Sequence, residues 1–322
     1  MFGLAVTALY FRFPDYHLLF WTPLGGSAVV ATVVGIRRYR PRQLLAWCFL
    51  AAGEFCFIAG DTTYTTLRVV FHQPNPFPSL ADGFYLLTYV CVGAGLMLFI
   101  RARSAGRDRA DLIDAVIITT GLALVSWIYL VIPNFEADGL SNLQRFISVA
   151  YPLGDVLVLA MLVRLIGGGG LRLPAMKLLV FGAVGLLVAD TLYGLIQLNG
   201  DWHENGPVDV GWVLFYLVWG CAALHPSMVG LGDIMPRGGQ RMGGWRVALL
   251  ASLSLIAPAI LFIESASRSY EQGETIALFS AALFLLVIAR LWIILDVHKQ
   301  SVRRERSLRA APIACGLSLI HI

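Results

Sequence analysis

The chain has 322 residues, of which 58% are hydrophobic and only 14% charged, and its mean hydropathy is +0.74. Soluble domains carry about 25% charged residues to solvate their surface, so this composition excludes an ordinary soluble enzyme or binding module and calls for lipid to cover the apolar remainder. The formal charge of +4 does not mark a nucleic-acid binder, because the basic residues lie in short clusters between apolar runs.

A helix needs about 20 mostly apolar residues to cross a bilayer core. Taken in chain order, the stretches 17–36, 43–63, 81–100, 111–132, 145–166, 175–197, 207–226, 246–263 and 275–296 meet that requirement, giving about nine predicted spans. Each is too long and too uniformly apolar for a strand, and the period-two alternation of an outer-membrane barrel is absent. The expected fold is therefore all-α, a polytopic transmembrane helical bundle. Cys48, Cys56, Cys91, Cys221 and Cys315 are scattered with no CxxC pair, so neither a disulfide framework nor a zinc site is expected.

The basic residues predict the orientation. Arg37, Arg38, Arg40 and Arg42, then Arg101, Arg103, Arg107 and Arg109, then Arg164, Arg172 and Lys177 fall on alternate connections. Arg237, Arg241 and Arg246 continue the series, and the tail adds Arg290, Lys299, Arg303, Arg304, Arg306 and Arg309. Only Arg12, Arg68, Arg145 and Arg268 fall on the other side. The 37–42 loop and the C-terminus are thus expected in the cytoplasm, with the protein multi-pass in the plasma membrane. Residues 1–16 form either an extracytoplasmic N-terminal segment or the remnant of a first span whose beginning is missing.

An internal repeat carries acids. Gly53-Glu-Phe-Cys-Phe-Ile-Ala-Gly-Asp61-Thr-Thr-Tyr64 aligns with Gly182-Ala-Val-Gly-Leu-Leu-Val-Ala-Asp190-Thr-Leu-Tyr193 at a constant offset of 129, matching Gly53, Asp61, Thr62 and Tyr64 with Gly182, Asp190, Thr191 and Tyr193. Each copy is followed by a loop and a span opening on an acid and aromatics, Asp82-Gly-Phe-Tyr and Asp209-Val-Gly-Trp. Both copies have the same direction, which predicts a parallel duplication of a helix pair rather than the inverted repeat common in secondary transporters.

The candidate ligand-binding residues are Glu54, Asp61, Asp82, Tyr151, Asp155, Asp190, Tyr193 and Asp209, with Tyr64 nearby. Tyr151 precedes Asp155 by one helical turn and Glu54 precedes Asp61 by two, so each pair shares a face. Ionisable residues inside a membrane are costly and usually face the bundle interior or a water-filled cavity. Together they predict a polar pocket open to the outside. For Asp61, Asp82 and Asp209, near predicted helix ends, simple capping is an equal alternative. For the deeper Asp155, Asp190 and Glu54 the alternative is a structural interhelical hydrogen bond. No catalytic residue, cofactor or metal is expected: His72, His203 and Glu204 lack ligand spacing, and Gly167–Gly170 lacks the Lys-Ser/Thr of a phosphate loop. Trp202, Trp212, Tyr216 and Trp219 are expected to form an interfacial belt and packing, and His225-Pro226 to end a span.

After the span region 17–296, residues 297–316 predict a cytoplasmic linker helix toward an output domain, or a basic anchor on anionic lipid. Leu317-Ser-Leu-Ile-His-Ile322 reads as the in-frame translation of a sequencing-library adaptor, so residues 317–322 are expected to be artefactual and the output domain missing.

Asp111-Leu-Ile-Asp-Ala, Tyr151-Pro-Leu-Gly-Asp155, Ala189-Asp-Thr-Leu-Tyr-Gly-Leu-Ile-Gln-Leu-Asn-Gly200, Gly206-Pro-Val-Asp209 and Ala222-Ala-Leu-His-Pro-Ser-Met228 together resemble the N-terminal multi-span region of actinobacterial membrane proteins with cytoplasmic GGDEF and often EAL domains. The resemblance implies a sensory input region that governs cyclic di-GMP output. This chain contains neither a GGDEF nor an EAL string, so no catalytic residues carry over and the fragment itself is not expected to be an enzyme. The implied partners are the lipid bilayer, a small extracytoplasmic or membrane ligand of unknown identity, the missing fused output domain, and a second copy in a homodimer. A small-solute or cation transporter using the intramembrane carboxylates is the alternative from a different class.

Overall fold

The computed structural model describes residues 2–13, 16–73, 76–103, 109–137, 139–167, 170–199, 206–233, 255, 258–260, 273, 275–293 and 299. Among these every regular element is helical. In chain order they are α1 (Phe2–Arg12), α2 (His17–Tyr39), α3 (Leu44–Val69), α4 (Leu80–Arg103), α5 (Arg109–Ser126), α6 (Ile132–Glu136), α7 (Asn142–Gly167), α8 (Pro174–Asn199), α9 (Asp209–Leu224) and α10 (Thr275–Ile293). Among the described residues seven helices are long and apolar enough to cross a membrane: α2, α3, α4, the α5–α6 unit over Leu112–Glu136, α7, α8 and α10. An eighth results if α9 is counted with the 3-10 turn Pro226–Gly232, from which it is bent by 89°. The described part of the chain is thus all-helical, with multi-pass membrane character. The expected span at 246–263 lies almost wholly outside the described residues, as do the linker 297–316 apart from Lys299 and the adaptor-like 317–322.

Local chemistry sets the breaks. Helix α2 stops where Arg40 takes the left-handed conformation (φ 46) and its N–H bonds the Ile36 carbonyl, with Pro41 next in line. Helix α9 stops at His225 because Pro226 has no N–H to continue the ladder. Between α5 and α6 the turn Trp127–Val131 widens to π geometry just before Pro133, and Asn134 Nδ2 donates to the Leu130 carbonyl at 2.7 Å. A π turn absorbs the mismatch a proline creates in a continuing helix. Helix α4 opens on a capping box, with the Ala81 N–H donating to Ser79 Oγ and the Ser79 N–H to Asp82 Oδ2.

Helix α3 packs most extensively on α4, α8 on α9, and α2 bridges α3 and α9. Their shared core holds Leu24, Trp47, Leu50, Leu96, Phe99, Phe215, Tyr216 and Trp219. Lipid tails are as apolar as leucine, so association in a membrane relies on close backbone approach. Two contacts show this: a Cβ on Gly211 would fall 2.5 Å from the Gly185 carbonyl oxygen, and one on Gly35 would fall 2.1 Å from that of Ala223. A separate small core joins Ile117, Leu124 and Ile128 of the α5 unit to Ile276 and Leu283 of α10. Large apolar side chains such as Leu19, Val30, Val90, Phe146 and Leu278 point outward, as a lipid-facing surface requires.

Candidate functional site: a carboxylate–aromatic network

Asp61 lies in the C-terminal half of α3 and accepts three hydrogen bonds. Trp21 Nε1 of α2 donates to Oδ2 at 2.7 Å, Tyr216 Oη of α9 to Oδ2 at 2.8 Å, and Tyr85 Oη of α4 to Oδ1 at 2.8 Å. Asp190 occupies the corresponding place in α8. Trp212 Nε1 of α9 donates to its Oδ1 at 2.7 Å, and Tyr89 Oη of α4 lies 3.3 Å from its Oδ2. The same Tyr89 hydroxyl donates at 2.8 Å to Oδ1 of Asp155 on α7. Asp155 and Asp190 therefore share one hydroxyl.

The acids at the starts of α4 and α9 are also held by tyrosines from other helices. Tyr151 Oη of α7 donates to Asp82 Oδ1 at 2.6 Å, and Tyr10 Oη of α1 donates to Asp209 Oδ2. Ring contacts join these pairs into one body: Tyr10 meets Trp21 at 4.8 Å between centroids, Tyr85 meets Tyr151 at 6.4 Å, and Tyr193 meets Trp212 at 5.7 Å. Five aspartates and seven aromatic donors thus tie α1, α2, α3, α4, α7, α8 and α9 at one end of the bundle. Asp82 and Asp209 are buried, whereas Asp61, Asp155 and Asp190 keep partial exposure.

Two bond patterns recur. Tyr85, three residues after Asp82, donates to Asp61; Trp212, three residues after Asp209, donates to Asp190. Tyr89, one turn further along α4, reaches across to Asp190, while Tyr216, one turn further along α9, reaches across to Asp61. Below them, a Cβ on Gly53 would strike Val92, and one on Gly182 would strike Trp219.

The structure brings together six of the expected residues: Asp61, Asp82, Tyr151, Asp155, Asp190 and Asp209. Tyr193 joins at the margin, stacking edge-on against Trp212 and accepting from Gln197 Nε2 at 2.6 Å. Glu54 does not join. It is buried two turns away and accepts from Thr32 Oγ1 of α2 at 2.8 Å. Capping, expected for Asp82 as the alternative to ligand binding, is present on one oxygen, which serves the capping box, while the other accepts from Tyr151.

Trp212 and Tyr216, expected as belt and packing residues, are instead network donors; Trp219 does pack, with its Nε1 donating to the Leu179 carbonyl. Sequence reasoning also missed Tyr10, Trp21, Tyr85 and Tyr89 as donors, and Asp114 altogether. Asp114 of α5 pairs with Arg290 of α10, whose Nη2 donates to Oδ2 at 2.8 Å. Arg290 was grouped with the basic tail, but it lies inside a span with its side chain 8% exposed. A lone arginine within the apolar run 275–293 was the available signal, since such a residue needs an internal partner.

His203 and Glu204 lie outside the described residues. Among those described, no group of three or more His, Cys, Asp or Glu side chains is placed to hold a metal ion. In comparison with known proteins, no family model matches the chain, and no curated protein or solved structure is significantly similar to it.

Proposed function

We propose that this chain is the membrane-embedded sensory region of a bacterial signal-transduction protein, in which a small ligand on the outer side acts on the carboxylate–aromatic network. The observation that carries the reading is the partial exposure of Asp61, Asp155 and Asp190 inside a network that ties seven helices. A ligand that competes for those tyrosine and tryptophan donors perturbs several helix contacts at once. It shifts the protein only by as much as it prefers one arrangement of the helices over the other. The distribution of arginines supports an orientation with this end outside and the C-terminus in the cytoplasm, and about nine spans agree with that orientation.

The recurring bonds support a parallel duplication of the α3–α4 pair as α8–α9, related by an axis along the membrane normal. In this reading the pairs trade tyrosines: Tyr89 of the first serves Asp190 of the second, and Tyr216 of the second serves Asp61 of the first. The likeness of the quoted segments to input regions of GGDEF and EAL proteins supports a cyclic di-GMP enzyme as the output. The test is a set of fusions carrying a diguanylate cyclase domain after residues 306, 307, 308 and 309, four successive positions along the linker helix expected from the sequence. Cyclic di-GMP output is expected to differ between the wild type and Asp190→Asn in at least one register. Equal output in all four overturns the reading.

A transporter is the second reading, favoured by the side-by-side placement of Asp155 and Asp190 on one hydroxyl. Proton or sodium flux into proteoliposomes that disappears in Asp190→Asn would select it over the sensor.

A further inference from the structure

Helix α10 is attached to the bundle differently from its neighbours. Its described apolar cluster is shared with the α5 unit and Ile260, with Ile276, Phe279, Leu283, Leu286 and Val287 grouped with Ile113, Ile117, Leu124, Val125 and Ile128. Among the described residues, Leu278, Phe284, Leu285 and Trp292 of α10 are exposed. An interface of this kind fixes register weakly in a membrane, because lipid replaces a leucine neighbour at almost no cost. A rotation of α10 would exchange one apolar face for another.

One contact resists that rotation. The Arg290 guanidinium meets the Asp114 carboxylate through both Nε and Nη2, and the two side chains are 8% and 13% exposed. The guanidinium fork and the carboxylate match as planes, so the pair sets direction as well as distance. Asp114 sits early in α5 and Arg290 late in α10, which places the pair at the end of the bundle opposite the acidic network if the helices cross the membrane as proposed. Helix α5 also packs on α7, the helix that carries Tyr151 and Asp155.

We propose that the Asp114–Arg290 ion pair is a latch that fixes the rotation and depth of α10 on α5, and that it is the last link from the network through α7 and α5 to α10. The latch stands on its own geometry; only its purpose rests on the sensory reading. A shift of α7 carries α5 with it, and the latch forces α10 to follow rather than slip through lipid. With the latch open, α10 samples several rotations whatever the network does.

The experiment places spin labels at Leu171→Cys and Trp292→Cys, both exposed positions, in a protein otherwise free of cysteine, and measures the distance distribution in nanodiscs. The latched protein is expected to give a single narrow peak. Asp114→Ala and Arg290→Ala are expected to lose it, and the swap Asp114→Arg with Arg290→Asp to regain it. An unchanged peak in the single variants overturns the latch. A swap as broad as the singles also overturns it, because the effect is then not that of a pair. Failure of the cyclase fusions beside a confirmed latch would reject the sensory reading alone.

Discussion

Asp61 allows the network to be weighed against a bare charge. Replacing it with alanine strands three donors, Trp21 Nε1, Tyr85 Oη and Tyr216 Oη. Interhelical hydrogen bonds in membranes are worth about 0.6 kcal/mol on average and at most about 1.7, so Asp61→Ala is expected to cost about 2 to 5 kcal/mol. Asparagine is different. Trp21 and Tyr216 both donate to Oδ2, so an amide oriented with its oxygen there keeps both bonds. Its NH2 then faces Tyr85, whose hydroxyl can turn round and accept. Only the charge assistance is lost, and Asp61→Asn is expected to cost about 1 kcal/mol. Reversible unfolding in a detergent–SDS titration, followed by tryptophan fluorescence, measures both. Equal costs for Asn and Ala would refute the reasoning, as would an alanine variant destabilised by less than the asparagine one.

Tyr89→Phe and Asp155→Asn should couple in a double-mutant cycle by about 0.6 to 1.7 kcal/mol, because the single hydroxyl links them; strict additivity in the same titration contradicts the bond. Gly35→Ala should destabilise by about 1 to 3 kcal/mol, since its Cβ meets the Ala223 backbone oxygen, whereas Gly26→Ala has nothing within 4 Å and should be neutral or stabilising; paired melting curves separate the two. In intact cells a membrane-impermeant maleimide should label His72→Cys but not Leu44→Cys in a background without native cysteines, and the opposite pattern would reverse the orientation.

Hydropathy alone located α2, α4, α7, α8 and α10 to within a few residues, and α3 except for its last turn and a half beyond residue 63, because a span needs a length of apolar sequence that few other elements share. The acids were legible for a related reason: Asp155 and Asp190 stand out against apolar neighbours. Their partners were not. A tyrosine or tryptophan in a span suits packing, belt and hydrogen bonding equally well, and only the neighbouring helix decides. Tyr216 thus gave no sign that it reaches Asp61, 155 residues away. Glu54 looked like a deep member of the site because it shares a face with Asp61, yet Thr32 on the adjacent helix claims it. The π turn before Pro133 depends on how α5 continues through its proline, which periodicity does not record.

The central claim is that the state of the network sets the position of α10. The most direct measurement is the Leu171–Trp292 spin-label distance in Asp190→Asn, compared with the wild type in the same nanodiscs. Asp190→Asn alters the acceptor of Trp212 and the neighbour of Tyr89 while leaving Asp114 and Arg290 intact. The account predicts a displaced or second narrow peak. A distribution indistinguishable from the wild type would contradict it.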